Sequence, residues 1–483
     1  MLRSANIVDS GHIQPMTALA FLPVLTKARE LDSRILFAAV LARRGYRVLL
    51  GGREAINAAA AASRDGLYVC PLLAPQDGEL LARLRAQGHA IIGWHEEGLV
   101  YPDPQWYFRN RLSGETASRS DAIAMWGRRS AGDLARAWPE LRVPVLPLGN
   151  PRIDVLREPF RQIYTAEAAR LRERFGPYVL VNTNFDLVNH IDGPDWLIES
   201  LRRRRWHEPA TYLPTLERWW EFRRATFEAF LAGIPELHAA LPETTIVIRP
   251  HPSESAAPWR ALESRHERVV VAEPASAVAP WILGAAAVLH NSCTTAVEAF
   301  LLDRPAIALV DGRVEPTMES PLPNALSRKA RSWAEAAELV RRAAHGDGGW
   351  TSEAQRALAD EHLALSADRT SCERIADLAR GLGVETRCGQ LASPQSLALS
   401  LPLLFERAKP YARPLVRPFR RRLKDGRTRF DGLRAGEVEE KAAAIGAIMG
   451  CGFRVEPYAR DIVVLRSGRA SAAQPATEAE AVA

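Results

Sequence analysis

Three short stretches of this chain carry residue types whose spacing could do chemistry, and a fourth could line the same site. The first is Trp94-His95-Glu96-Glu97-Gly98-Leu99-Val100-Tyr101. Adjacent carboxylates repel and raise one another's pKa, and Gly98 lets the chain turn sharply, a setting that suits a general base taking a proton from a hydroxyl. Capping of the next helix, or a solvated loop, is the structural alternative for Glu96 and Glu97. The second is Ile248-Arg249-Pro250-His251-Pro252, in which two prolines stiffen the backbone on both sides of a histidine and so orient an imidazole and a guanidinium. The third runs from His290 through Asn291, Ser292, Cys293, Thr294 and Thr295 to Glu298, where hydroxyls and backbone N–H groups could receive an anion. Ordinary N-capping by Ser292 or Thr294 would need only one of those hydroxyls. Val181-Asn182-Thr183-Asn184-Phe185 could line the same cleft, although Asn and Thr are also common turn formers. Neither a Walker loop nor GxGxxG is present, and Asp192, Asp195 and Asp303 have no metal-ligand spacing, so a metal-independent mechanism without a cofactor is expected.

The elements that must position these residues follow from periodicity. AFLPVLT, an amphipathic stretch over Asp32 to Arg44, and YRVLLGG read as a β-α-β unit. HAIIGW, AIAMWG and VPVLPLGN add buried strands, each followed by polar or turn residues, as at the carboxyl edge of an open parallel sheet. The first Rossmann-like domain is placed at 20–155, closing on Gly149-Asn150-Pro151-Arg152-Ile153-Asp154 as a hinge. YVLVNTNF, TTIVIRPHP, RVVVAE, AAVLHNS and PAIALVDG form a second series, placed at 170–345. Its insertion at 196–241, rich in aromatic and arginine residues (RRRRW, RWWEFRR), is too long for a plain crossover and reads as a helical pair capping a cleft. The predicted fold class is α/β: two doubly wound Rossmann-like domains with a deep cleft between them. A helical, basic appendage at 350–466 and a disordered tail at 467–483 complete the expectation.

Composition bounds the rest. In 483 residues, 47% are hydrophobic and 25% charged, which excludes disorder, collagen and simple coiled coil for the bulk of the chain. Five scattered cysteines (Cys70, Cys293, Cys372, Cys388, Cys451) without CxxC spacing argue against a disulfide framework or a zinc site, and a reducing cytoplasm is expected. The first residues carry a short apolar run broken by Pro23, without a basic flank before it, so no secretion signal is read there. From Leu401 to Phe430 apolar residues interleave with ten cations between Arg407 and Arg429, more than the net charge of +6. That segment either meets an anionic membrane surface, making the protein peripheral at the inner face of the plasma membrane, or packs an apolar face on the second domain. Pro410, Pro414 and Pro418 break any long helix there. No aromatic-basic recognition module accompanies the charges, so nucleic acid is not an expected partner.

Taken together, the acidic pair, the His-Pro motif and the Ser/Thr motif, in this order, resemble the GT-B CMP-sugar glycosyltransferases, the sialyltransferase and Kdo-transferase kind. The chain from about Leu22 to Val340 also resembles the family of surface carbohydrate biosynthesis proteins, through LPVLTKARELDSRILFAAVLARRGYRVLLGG, HEEGLVY, WG, GNPRID and VNTNFDLVNH. The resemblance implies an inverting transferase moving a CMP-linked acidic sugar, Kdo or a nonulosonic acid, onto a glycan or glycolipid acceptor. Glu96 would be the base, with Glu97 its neighbour or substitute, and His251 would protonate the departing CMP phosphate. Ser292, Thr294 and Thr295 would hold that phosphate. Asn182, Thr183, Asn184, Pro252, Glu273 and Asn291 would contact the donor, while Arg152 and Arg249 would meet a sugar carboxylate. Two alternatives stay open. One is a CDP-polyol phosphotransferase of teichoic-acid type, which would require a second histidine such as His12, His89 or His95. The other is a non-catalytic GT-B-like scaffold in polysaccharide assembly.

Overall fold

The computed structural model describes residues 18–203, 209–272, 276–310, 318–366, 368–387, 389–394 and 430–468. His12, Glu273, the basic stretch through Arg429 and the tail beyond Gly468 lie outside them.

Strands β1 (Leu19–Val24), β2 (Arg47–Gly52), β3 (Leu67–Cys70), β4 (Ala90–Trp94), β5 (Ala122–Ala124) and β6 (Val145–Leu146) come from the first half of the chain. β7 (Tyr178–Asn182), β8 (Thr245–Arg249), β9 (Val269–Val271), β10 (Ala287–His290), β11 (Ala306–Leu309) and β12 (Arg328–Ala330) follow, and β13 (Phe453–Ala459) and β14 (Ile462–Ser467) close the chain. They form two sheets, β13-β14-β2-β1-β3-β4-β5-β6 and β12-β11-β10-β7-β8-β9. All pairings are parallel except β2–β14 and β13–β14. This is the α/β architecture of two mostly parallel sheets that the buried apolar runs dictate.

Alternation along each strand feeds two cores, which is why the strands read as continuous apolar runs. Ala20, Leu22 and Val24 join Tyr178, Leu180 and Val288 in one shared core, with the whole apolar face of the helix Lys27–Arg43. Leu19 and Phe21 face a separate core with Tyr68 and Ile91, and Val179 and Val181 face a third with Ile246, Ile248 and Leu289. The insertion is a short helix, Trp196–Arg202, and a 32-residue helix, Pro209–Ala240, whose Leu216, Phe230, Ile234 and Leu237 cover the third core. Near its start Tyr212 stacks flat on Trp106 of the first-sheet helix Pro104–Arg111, ring centroids 5.5 Å apart.

The C-terminal part holds helices, as expected at 350–466, and adds strands the sequence reading did not include. Helices Glu353–Leu363, Ser371–Gly381 and Ala435–Met449 are present, but the chain ends in a hairpin that extends the first sheet. β14 pairs antiparallel with β2, Ile462 opposite Gly51 and Leu465 opposite Val48. Gly51 is needed for this approach, since a Cβ there would stand 2.1 Å from the Asp461 carbonyl oxygen. The alternation of VEPYARDIVVLRS is strand-like, with Asp461 at φ 61° in the turn, but the cationic run before it dominates the composition of the region. Helix Ala435–Met449 then packs on helix Lys27–Arg43, tied by Lys441 to Asp32 at 2.5 Å and Lys27 to Glu437 at 2.8 Å.

The GNPRID stretch, read as a hinge, is tied down on several sides. Asn150 caps the turn Pro151–Asp154 through Arg152 N, and Asp154 accepts from Ser371 N (2.9 Å) and Cys372 N (2.8 Å) at the start of a C-terminal helix. Gly149 adopts φ 82°, and a Cβ on it would lie 2.2 Å from Ser371 Oγ.

Candidate functional site

The acidic pair leaves the end of β4, but its two members face different surroundings. Glu96 is buried, with Arg34 Nη2 at 2.7 Å from Oε2 and Arg152 Nη1 at 3.5 Å from Oε1. Arg34, itself 1% exposed, stacks over Trp94 and also faces Glu30 at 3.7 Å. Glu30 in turn accepts from Leu25 N and Thr26 N at the start of its helix. Glu97 is exposed and pairs with Arg29 at 2.5 Å. Burial by itself would raise Glu96, but Arg34 and Arg152 hold it below the ordinary range, and Arg29 holds the exposed Glu97 well below it. The mutual elevation expected of two neighbouring acids therefore does not arise. It falls on Glu30, raised by burial and then by Glu96. Neither glutamate caps the following helix, because Asp103 does so through Trp106 N.

Arg152 is not free to meet a substrate in this conformation. Its guanidinium spans Glu96 and, at 2.8 Å, Glu298 of the helix Thr295–Leu301, so it joins the acidic motif of the first sheet to the Ser/Thr motif of the second. The sequence reading missed Arg29, Glu30 and Arg34. The only signal for them was charge on an otherwise apolar helix, which burial on every side makes significant.

On the second sheet, His251 leaves the end of β8 with its side chain 32% exposed. Its Nδ1 accepts from Ser253 N at 3.3 Å, which leaves the proton on Nε2, and lies 3.7 Å from Asp186. Pro252 beside it is half-buried. The loop is built around Glu254, another residue the sequence reading missed. Its buried carboxylate accepts from Thr183 Oγ1 (2.8 Å), Phe185 N (3.0 Å), Trp259 Nε1 (2.8 Å) and His251 N (3.4 Å). Thr183 is thus a loop anchor in this structure. Burial pushes Glu254 up to about 7, against those donors.

Glu254→Gln tests that assignment. The amide presents its own N–H groups to a ring of donors, and the variant is expected to lose about 2–4 kcal/mol of stability at pH 5. A carboxyl raised in the folded state binds more protons there than when unfolded, so its contribution is complete below its ordinary value of 4.5 and falls as pH rises through about 7. The gap between wild type and variant in urea unfolding is expected to narrow by about 3 kcal/mol between pH 4 and pH 8. A gap that widens over that range would show that the donors, and not burial, govern the group.

The remaining candidates gather at the ends of β7 and β10. Asn182 Nδ2 donates to Thr295 Oγ1 at 2.6 Å, and Cys293 Sγ lies 3.3 Å from the same hydroxyl. Ser292 has φ 62° and bonds the backbone of Ser320 through Oγ. Thr294 occupies the N-cap position of the following helix without a side-chain bond into it, so the simple capping reading is not realised. His290 is buried, donates through Nε2 to Ser327 and accepts from Cys293 N, and burial drops it to about 3. Arg223, from RWWEFRR on the long inserted helix, reaches the Asn291 carbonyl at 3.4 Å and holds both the carbonyl and side-chain oxygens of Asn184. Arg249 donates to Ser276 O at 2.5 Å. Neither candidate second histidine of the first domain joins this edge. His95 is buried, donates from Nδ1 to Leu72 O and is dropped to about 4, and His89 bonds Gly66, Ala60 and Ser63. Among the described residues no three His, Cys, Asp or Glu side chains cluster to hold a metal, and no helix is long and apolar enough to cross a membrane.

No protein-family model matches the chain, and no curated protein sequence does. Solved structures do match. The wall teichoic acid polymerase TagF aligns with a TM-score of 0.47 and 11% identity, over 77% of this chain and 90% of its own. The UDP-GlcNAc 2-epimerase of Methanocaldococcus jannaschii gives 0.48 and 11%, over 76% and 100%. HepE of Anabaena, in complex with UDP and glucose, gives 0.39 and 12%, over 76% and 99%. Likeness of this size leaves the fold to rest on the sheet topology and the function on the site.

Proposed function

We propose that this chain is an inverting, metal-independent glycosyltransferase of GT-B type that moves a CMP-activated acidic sugar, Kdo or a nonulosonic acid, to a surface glycan or glycolipid. The observation that carries the reading is the His251 loop: a half-exposed imidazole, pinned between prolines and anchored on Glu254, with its proton on Nε2. Such a group can donate to a phosphate oxygen as the sugar–phosphate bond breaks. On the acceptor side a carboxylate takes the proton of the attacking hydroxyl, the oxygen forms the new bond to the anomeric carbon from the opposite face, and CMP departs with the bonding pair. Exposure favours Glu97 over Glu96 for that role: Glu97 stands at the surface with Arg29 on Oε1, whereas Glu96 is buried with an arginine on each oxygen. Glu96 then acts as the buried support that keeps the loop in place. Asn182, Asn184, Asn291, Ser292, Thr294 and Thr295 are the donor contacts of this reading, with Glu273 a further one.

One observation favours the CDP-polyol phosphotransferase as a second reading. His190 lies in the loop that bridges to Glu254, beside the His251 loop, although it is 2% exposed and stacked on Trp196 at 4.4 Å. Thermal-shift titration with CMP, CDP, UDP and GDP separates the readings, since a ligand that binds only the native state raises the melting temperature by mass action. Stabilisation by CMP that is lost in His251→Ala is the expected result. A selective response to CDP would move the assignment to the phosphotransferase, and silence towards every nucleotide would leave the non-catalytic scaffold.

A further inference from the structure

Four arginines are buried among the described residues: Arg34, Arg152, Arg223 and Arg249. The first two each meet two carboxylates. Arg223 and Arg249, each 5% exposed, have no carboxylate among the described residues within 4.0 Å. Their hydrogen bonds go to neutral oxygens: Asn184 and the Asn291 carbonyl for Arg223, and the Ser276 carbonyl for Arg249. A buried cation with no carboxylate in contact is penalised by desolvation, and burial lowers both groups, Arg249 to about 10, against the more distant pull of Asp186 and Glu254 on Arg223 and of Glu298 on Arg249.

Both belong to one edge. Arg249 ends β8 and stands in register with Asn182 at the end of β7, which is in register with His290, the last residue of β10 before Asn291. A second and independent deficit sits at the same strand ends. Asn182 Oδ1 and both side-chain amide atoms of Asn291 are buried without a hydrogen-bond partner, and Asn291 is 4% exposed. A buried polar atom left without a partner is unfavourable, because it has given up water for nothing. Two guanidinium groups that lack an anion, beside amide oxygens that lack a donor and an amide N–H₂ that lacks an acceptor, are complementary to one kind of ligand: an oxyanion flanked by hydroxyl groups.

We propose that Arg223 and Arg249 together receive the phosphate of the donor, with the Asn182 and Asn291 amides taking the hydroxyls next to it. The helix Pro209–Ala240 is then a specificity element that delivers Arg223 to the edge of a sheet from which it is absent in sequence. This inference rests on the nucleotide-sugar reading for the identity of the ligand, but not for the presence of an anion site.

The test is thermal shift of the full chain with CMP, inorganic phosphate and pyrophosphate, on wild type, Arg223→Met and Arg223→Lys. Arg223→Met also gives up the hydrogen bonds to Asn184 and Asn291, so its own ligand-free melting temperature is the baseline, and against that baseline the CMP midpoint is expected to rise at least about tenfold. Arg223→Lys keeps the charge and loses the fork, and is expected to fall between the two. Arg223→Met responding to CMP like wild type would overturn the inference and leave the transferase reading intact. Pyrophosphate acting on wild type and not on Arg223→Met, with no nucleotide effective, would uphold the anion site and remove the transferase reading. If Arg223→Met fails to fold, a wild-type CMP midpoint in folded Arg223→Lys would show that Arg223 is structural and overturn the inference.

Discussion

Arg152→Met is expected to destabilise the native chain by about 3–5 kcal/mol, the range for removing one partner of a buried ion pair and leaving the other uncompensated. The guanidinium lies between Glu96 Oε1 at 3.5 Å and Glu298 Oε1 at 2.8 Å, and stacks 5.5 Å from the Trp126 ring. Its loss leaves two carboxylates in a setting where Arg34 can still serve only one of them. Because the two acids belong to different sheets, the variant is also expected to lose cooperativity between the halves in urea unfolding, seen as a broadened or split transition. The double variant Arg152→Met, Glu298→Gln is expected to recover part of the loss, since the second change removes one of the orphaned charges. A single variant as stable as wild type would mean that the network contributes nothing net to joining the two sheets.

His251→Ala is expected to behave in the opposite way: sugar transfer falls by about 10²–10⁴-fold, and the protein stays folded with only a modest fall of the unfolding midpoint. Apart from the Ser253 N–H bond to Nδ1, the loop is held by backbone and by Glu254. Glu254 takes the His251 backbone N–H, and Ile191 N donates to Ser253 O at 2.9 Å across the neighbouring loop. The imidazole is one-third exposed and two-thirds buried, so its truncation is expected to lower the midpoint modestly while leaving the protein folded. The assay is transfer from a CMP-linked acidic sugar, with the folded state verified by urea titration. Full activity in a folded variant would remove His251 from the chemistry, and with it the observation on which the proposed reaction stands.

Much of the scaffold is legible in the chain before it folds. Runs such as YVLV, IVI and AVL are apolar at successive positions because both faces of the sheet are covered, and β1, β2, β4, β7, β8, β10 and β11 stand where those runs place them. The short strands β3 and β12 are harder to see, because three or four residues carry almost no periodicity. The hairpin β13–β14 alternates as a strand should, yet what makes it part of the first sheet is a pairing with β2 more than 400 residues earlier, possible because Gly51 leaves room for the Asp461 carbonyl. Contacts of that separation leave no local trace.

The site divides along the same line. Local sequence was sufficient for the stiff His251 loop, for two acids at a strand end, and for hydroxyls after β10, since prolines, glycines and the end of an apolar run are properties of neighbouring residues. Tertiary structure alone decided their electrostatic character. It buried Glu96 between Arg34 and Arg152 while leaving Glu97 exposed, set Glu254 as the anchor under His251, and brought Arg223 to Asn184 and Asn291 from a helix inserted dozens of residues away. The physical reason is that a charge acquires its meaning from the dielectric and the counter-charges around it. Those are set by packing between segments far apart in the chain, whereas backbone stiffness and apolar runs are set by the segments themselves.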